Sequence, residues 1–371
     1  MFGNIYSGKR VLVTGHTGFK GSWLVLWLSE LGAEVIGLSL PPETDPNHYG
    51  LLGLDIHSVF HDIGEADPVY RTVAEFRPEI VFHLAAQALV RRSYRKPAET
   101  FGTNVMGTVH VLEACRMTDS VRAVVIVTSD KCYENREWIW GYRESDRLGG
   151  HDPYSASKGC AELVTAAYRR SFFPVRKYGE THEVLVASAR AGNVLGGGDW
   201  AEDRLVPDVM RAASERRKVW IRNPEATRPW QHVLEPLSGY LMLGSGLFKG
   251  NKALSGAWNF GPNQEGHRTV KAVLQELGRY WSQIDYETTE NEENPHEAGL
   301  LNLDCSRAFT LLRWNPVWDT SQTLFHTALW YKKFYETRKL TSRDNLAEYV
   351  AEAGQKRLPW ADVEDSPDTT L

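Results

Sequence analysis

Two short runs in this sequence carry side chains that could move protons. The first is Asp152-Pro153-Tyr154-Ser155-Ala156-Ser157-Lys158. An N-cap residue followed by proline reads as the start of a helix. Residues four apart share one helix face, so Tyr154 and Lys158 stand side by side. A tyrosine works as a base near neutral pH only if its phenolate is stabilised, and a lysine one turn away would help to do that. Y-x-x-x-K alone is common by chance and is usually a surface pair. The second run, Ser129-Asp130-Lys131, closes the apolar stretch Ala123–Thr128. Open α/β sheets bind ligands at the carboxyl ends of their strands, which would put these three polar side chains in the same crevice as Tyr154. The alternative is a capped loop with Asp130 and Lys131 as a solvent-exposed pair.

Both runs need a scaffold, and the N-terminal stretch Val11-Leu12-Val13-Thr14-Gly15-His16-Thr17-Gly18-Phe19-Lys20-Gly21 supplies its key. The residues before Gly15 are apolar or β-branched and read as a buried strand. Leu24, Trp27, Leu28 and Leu31 follow with the i, i+3, i+4, i+7 spacing of a packed helix. Gly15, Gly18 and Gly21 therefore fall in a strand-to-helix turn. There glycine lets the backbone bend and lets a pyrophosphate approach the free N–H groups of the helix N-terminus. A turn that needs small residues only for packing is the bland reading. The strand, the helix and the N-terminal position favour a dinucleotide site.

Further strands are expected at Glu34–Leu38, Val59–Ile63, Ile80–Leu84, Ala123–Thr128 and Val184–Ala189, with helices at Val69–Phe76, Asn104–Arg116 and Tyr154–Phe172. Apolar strands alternating with helices predict an α/β fold with a doubly wound parallel sheet, Rossmann-like. After Arg190 the pattern becomes a smaller mixed α/β lobe, with helices at Leu205–Glu215, Glu235–Phe248 and Val270–Trp281 and a strand at Lys218–Asn223. The expected division is 1–190 for the cofactor, 191–345 for the substrate, with a strand near 257–260 returning to the main sheet, and 346–371 as an acidic tail.

The 371 residues suit a large core, and a formal charge of −5 argues against a general nucleic-acid or membrane-surface binder. No apolar run approaches the ~20 residues of a membrane span, so a cytoplasmic protein is expected. The four cysteines lie far apart without C-x-x-C, which indicates neither a disulfide framework nor a zinc site, and no metal is expected. Cys132 reads as a small packed residue. Trp138, Trp140, Trp200 and Trp230 fall in loop-like segments and could wall a sugar or base.

Gly15–Gly21, His83-Leu84-Ala85-Ala86-Gln87, Asn104, Ser129 and the Tyr154/Lys158 pair together resemble the extended short-chain dehydrogenase/reductase family acting on nucleotide sugars, from about residue 8 to 340. In that family a Ser/Thr–Asp–Glu run at this strand end marks the 4,6-dehydratases. Lys131 departs from the dTDP-glucose and GDP-mannose enzymes and is similar to the branch taking cytidine-diphosphate sugars, as are Thr128–Asn135, Gly196–Asp208 and Pro295–Ala298.

The resemblance implies bound NAD, contacted by Gly15, Thr17, Gly18, Phe19, Lys20, Gly21, Asp62, Ile63, Leu84, Ala85, Ala86, Thr128, Tyr154 and Lys158. Ser39 and Leu40, at the end of the second strand, offer neither the acid that reads a ribose 2′-hydroxyl nor an arginine for a 2′-phosphate, so NAD rests on the family alone. Tyr154 would take the 4-hydroxyl proton, Lys158 would hold the nicotinamide ribose, and Ser129 would bond the C4 oxygen. Asp130 would be the acid for the departing 6-hydroxyl, and Lys131 either the C5 base or an electrostatic stabiliser. Asn193, Arg204, Arg228 and His296 would hold the nucleotide sugar, although each arginine could equally be a surface ion pair. Arg313 stands where the family commonly has glycine. A homodimer built on Asn104–Arg116 and Tyr154–Phe172, or a tetramer, and a role in bacterial surface-polysaccharide deoxysugars are also implied. The rivals are another nucleotide-sugar dehydratase or 4-epimerase, and an inactive NAD-binding scaffold.

Overall fold

The computed structural model describes residues 1–221, 223–262, 266–288 and 300–361. Seven strands form one sheet: β1 (Arg10–Thr14), β2 (Glu34–Ser39), β3 (His57–Phe60), β4 (Ile80–His83), β5 (Ala123–Val127), β6 (Leu185–Ala191) and β7 (Ala257–Phe260). Their order is β7-β6-β5-β4-β1-β2-β3, and every pairing is parallel. The direction of chain progression reverses between β1 and β4, and a crevice opens at such a switch point outside the strands' carboxyl ends.

Successive strand residues point to opposite faces, and both faces are covered. Val11, Val13, Phe82 and Val125 pack with α1 (Phe19–Glu30) and, from far along the chain, the helix Leu234–Phe248. Leu12, Leu38, Val81, Val124 and Ile126 pack with α2 (Ala66–Phe76), α3 (Gly107–Met117) and α4 (Pro153–Ser171). The continuous apolar strands are thus explained by burial on both sides.

Besides short helices in the first part of the chain, the longer ones that follow are α5 (Leu205–Ser214), α6 (Leu234–Phe248), α7 (Val270–Tyr280), α8 (Thr320–Thr337) and α9 (Ser342–Gln355). Short ladders join Thr227–Pro229 to His267–Thr269 and Val219–Ile221 to Tyr286–Thr288. Trp200, Trp230, Trp281, Trp330, Tyr331 and Phe334 fill the core between α5, α7 and α8.

Some expectations need correction. The third strand ends at Phe60, because Asp62 turns the chain by accepting the Gly64 N–H at 2.8 Å. The stretch before α3 is a wider helical turn, Gly102–Met106. Residues 346–361 are no tail: most of them form α9 and the turn after it, with Leu346, Tyr349, Ala353, Leu358 and Trp360 buried in the main core. The acidic residues from Asp362 onward lie outside the described residues. Arg313 adopts φ +54°, the left-handed conformation that glycine takes most readily, and its side chain is exposed.

Candidate active site

The glycine turn between β1 and α1 is set by close backbone approaches. Gly15 has φ +76°, and a Cβ there would lie 2.7 Å from the Ala85 nitrogen at the end of β4. A Cβ on Gly21 would lie 2.0 Å from the Gly15 carbonyl oxygen. Gly18, by contrast, has φ −74° and is the N-cap of α1 without a side-chain cap. The first N–H groups of α1 have no helical partner and face the crevice with the positive end of the helix dipole. The structure therefore offers a cradle for an anionic cofactor group, and Thr17 closes its edge, donating to the Leu40 carbonyl at 2.9 Å.

Above the strand ends lies a cavity of about 1210 Å³. Its lining includes Gly15, Thr17, Gly18, Phe19, Lys20, Gly21, Asp62, Ile63, Leu84, Ala85 and Ala86 on the side of β1–β4. Thr128, Ser129, Asp130, Lys131, Tyr154 and Lys158 line its middle, and Asn193, Arg204 and Arg228 its far side. His296 lies outside the described residues. The fold thus brings together side chains more than 200 positions apart in sequence.

Asp152 caps α4 as its sequence suggested, accepting the Ser155 N–H at 2.9 Å. Tyr154 is 8% exposed, and burial pushes its phenol up to about 12, against the lowering effect of its bond with Ser129. Lys158 is equally buried; burial pulls its ammonium down to about 8, opposed first by Glu162, and its Nζ donates to the Val127 carbonyl at 3.4 Å. Ser129 donates to Asp130 Oδ1 at 2.9 Å and accepts the Lys131 N–H at 3.2 Å. Burial raises the Asp130 pKa, with the Lys131 charge the main opposing influence.

Sequence reading missed the layer beneath. Glu162, one turn beyond Lys158, is buried and accepts from Thr128 Oγ1 at 2.6 Å, Ser188 Oγ at 2.7 Å and Arg190 Nη2 at 2.7 Å. Thr128 thus spends its hydroxyl on this network. The i, i+4, i+8 spacing of Tyr154, Lys158 and Glu162 was a visible signal, while Arg190 on β6 was not. Asp199 was missed too: its carboxylate pairs with Arg204 Nη1 at 2.8 Å, and that partner raises the guanidinium pKa.

The aromatic wall is only half present. Trp200 and Trp230 line the cavity but are buried, their indole N–H groups held by Tyr335 and the Arg268 carbonyl. Trp138 packs on Tyr142, Trp140 is largely exposed, and neither lines the cavity. Cys132 is fully buried, and burial raises its thiol far above the reactive range. Among the described residues, His326, Glu348 and Glu352 could converge on a metal ion, but none of them lines the cavity.

Residues 12–327 match the family described as GDP-mannose 4,6 dehydratase. The chain is 49% identical to CDP-glucose 4,6-dehydratase of Salmonella typhimurium, over 94% of this chain and 98% of that protein. It is 26% identical to dTDP-glucose 4,6-dehydratase of Xanthomonas campestris, over 86% of this chain and 92% of that one. Among solved structures it superposes on DesIV, a dTDP-glucose 4,6-dehydratase of Streptomyces venezuelae crystallised with NAD and TYD bound. There the TM-score is 0.72 at 25% identity, covering 87% of this chain and 97% of DesIV.

Proposed function

This chain belongs to the GDP-mannose 4,6 dehydratase family of extended short-chain dehydrogenases, and we propose that it is a hydro-lyase converting CDP-D-glucose to CDP-4-keto-6-deoxy-D-glucose and water. The observation that carries the reading is the meeting of Ser129, Asp130 and Lys131 with Tyr154 and Lys158 in one cavity, beside the glycine cradle. An epimerase has no use for the acid at Asp130, whereas removing water requires one.

NAD fits the cradle: Gly15 and Gly21 let the turn close against the end of β4 and against itself with no side chain in the way, and the N-terminus of α1 favours an anion. Bound there, it supplies the acceptor and then the donor of the hydride that passes from C4 to C6. The protein's own groups handle the protons. Tyr154 removes the 4-hydroxyl proton, and since burial pushes its phenol up to about 12, it depends on the positive charge of Lys158 to do so. Ser129 bonds the C4 oxygen as it becomes a ketone, which acidifies the C5 proton. Asp130, biased toward its protonated form by burial, donates to the departing 6-hydroxyl. Lys131, half-buried beside it, is either the group that receives the C5 proton or a fixed charge that stabilises the enolate. Asn193, Arg204 and Arg228 hold the nucleotide diphosphate, guanidinium forks suiting its oxygens.

Among the described residues, no helix is long and apolar enough to cross a membrane. A cytoplasmic enzyme supplying deoxysugars for a bacterial surface polysaccharide such as an O-antigen fits a soluble nucleotide-sugar substrate. Exposed Met106, Met117, Leu163 and Phe172 on and around α3 and α4 support a dimer packed through these helices.

The test is to incubate the enzyme with CDP-glucose, dTDP-glucose, UDP-glucose and GDP-mannose separately, without added reductant, and follow product mass. Loss of one water from CDP-glucose alone supports the reading. Retained NAD with no water lost from any substrate refutes it.

A further inference from the structure

Gly192 follows the last residue of β6 and lines the cavity. Its φ lies outside the left-handed region, so the backbone there would accept any residue that has room. Room is what its neighbours deny. A Cβ on Gly192 would lie 3.0 Å from Asp130 Oδ2, 3.6 Å from Asp130 Cγ and 3.3 Å from Pro229 Cγ. Pro229 is buried and ends the short strand Thr227–Pro229, which pairs with His267–Thr269 in the second lobe. The Asp130 carboxyl therefore stands in a slot, between the end of the main sheet and the lobe, that a single methyl group would narrow.

The two carboxyl oxygens meet different surroundings. Oδ1 accepts the Ser129 hydroxyl at 2.9 Å. Oδ2 stands against Gly192, which has no side chain to donate a hydrogen bond. In a protonated carboxyl the oxygen that already accepts a hydrogen bond is the carbonyl-like one, so the proton of the acid form sits on Oδ2. The inference rests on the proposed function, in which this proton passes to the 6-hydroxyl oxygen as the C6–O bond breaks and its electron pair leaves with the water. We propose that Gly192 is a positioning residue for this step: the side chain it lacks leaves the room in which Asp130 Oδ2 is aimed at the departing hydroxyl. Asp130 is only 4% exposed, so a carboxyl pushed aside there has little space in which to swing back.

The experiment compares the wild type, Gly192→Ala, Asp130→Asn and the double variant, each loaded with NAD. Water loss from CDP-glucose is followed by product mass, reduced cofactor by its absorbance on rapid mixing, and CDP affinity by calorimetry. In Gly192→Ala the carboxyl must give by a few tenths of an ångström, and water loss is expected to fall about tenfold. C4 oxidation keeps its first-turnover rate, so reduced cofactor accumulates, and CDP binds as before. In the Asp130→Asn background the same substitution costs nothing more. Normal water loss without accumulation overturns the proposal, and so does an equal loss in the Asp130→Asn background. Slowed C4 oxidation, weakened CDP binding or failure to fold in Gly192→Ala also overturns it, since the glycine would then serve packing alone. A wild type that takes no water from CDP-glucose sinks the dehydratase reading itself, whatever Gly192→Ala does.

Discussion

Replacing Glu162 by glutamine keeps the shape of the network beneath Tyr154 and Lys158 and removes its charge. A glutamine can turn its oxygen toward Ser188 and Arg190 and its amide toward Thr128, so all three contacts can be kept. What is lost is the countercharge 2.7 Å from Arg190, which retains the Tyr133 hydroxyl at 2.7 Å and the Glu144 carbonyl at 3.1 Å. Both members of the pair are 3% exposed, and stranding one buried charge costs about 3–5 kcal/mol. Lys158 at the same time loses the carboxylate that most opposes its deprotonation, so its pKa falls below about 8. Since the charged lysine is the active form, the alkaline limb of the pH–rate profile moves to lower pH. Urea unfolding followed by tryptophan fluorescence measures the first effect, and initial rates of water loss from CDP-glucose between pH 6 and 9 measure the second. A stability change under about 1 kcal/mol would refute the stranded-charge argument, and an unmoved alkaline limb would refute the coupling to Lys158.

Tyr154→Phe should lower turnover by about 10²–10⁴-fold, with NAD still bound, read from the ultraviolet absorbance of the cofactor released on unfolding. In Asp130→Asn the C4 oxidation persists while water loss fails, so absorbance of reduced cofactor accumulates on mixing with substrate; a normal rate without accumulation would remove Asp130 from the acid role. Gly21→Ala pushes a methyl group into the Gly15 carbonyl and should abolish NAD retention during purification. His16, held at about 4 by burial, and His48 and His83, each at about 3, are neutral in the fold and protonate on unfolding below ~6.5. The unfolded chain then binds more protons, so stability falls as pH drops from about 6.5 toward 4, by ~1.4 kcal/mol per histidine per pH unit. Urea midpoints at pH 7 and pH 5 check this slope.

The sequence by itself determined what is local. The glycine turn, the helix start at Asp152-Pro153, the i, i+4 placement of Tyr154 and Lys158, and the parallel sheet implied by apolar strands are all fixed by backbone geometry and periodicity within a few residues of each other. The Ser129-Asp130-Lys131 run could be placed at a strand end for the same reason. Tertiary structure decided whatever depends on burial and on partners distant in the chain. Glu162 on α4 meets Arg190 on β6 only once helix and sheet are packed together. Trp200 and Trp230 became anchored core where loop aromatics were expected, because α8 covers them. The chain after Leu346 looks polar yet packs, since one face of α9 supplies Leu346, Tyr349 and Ala353 to the core.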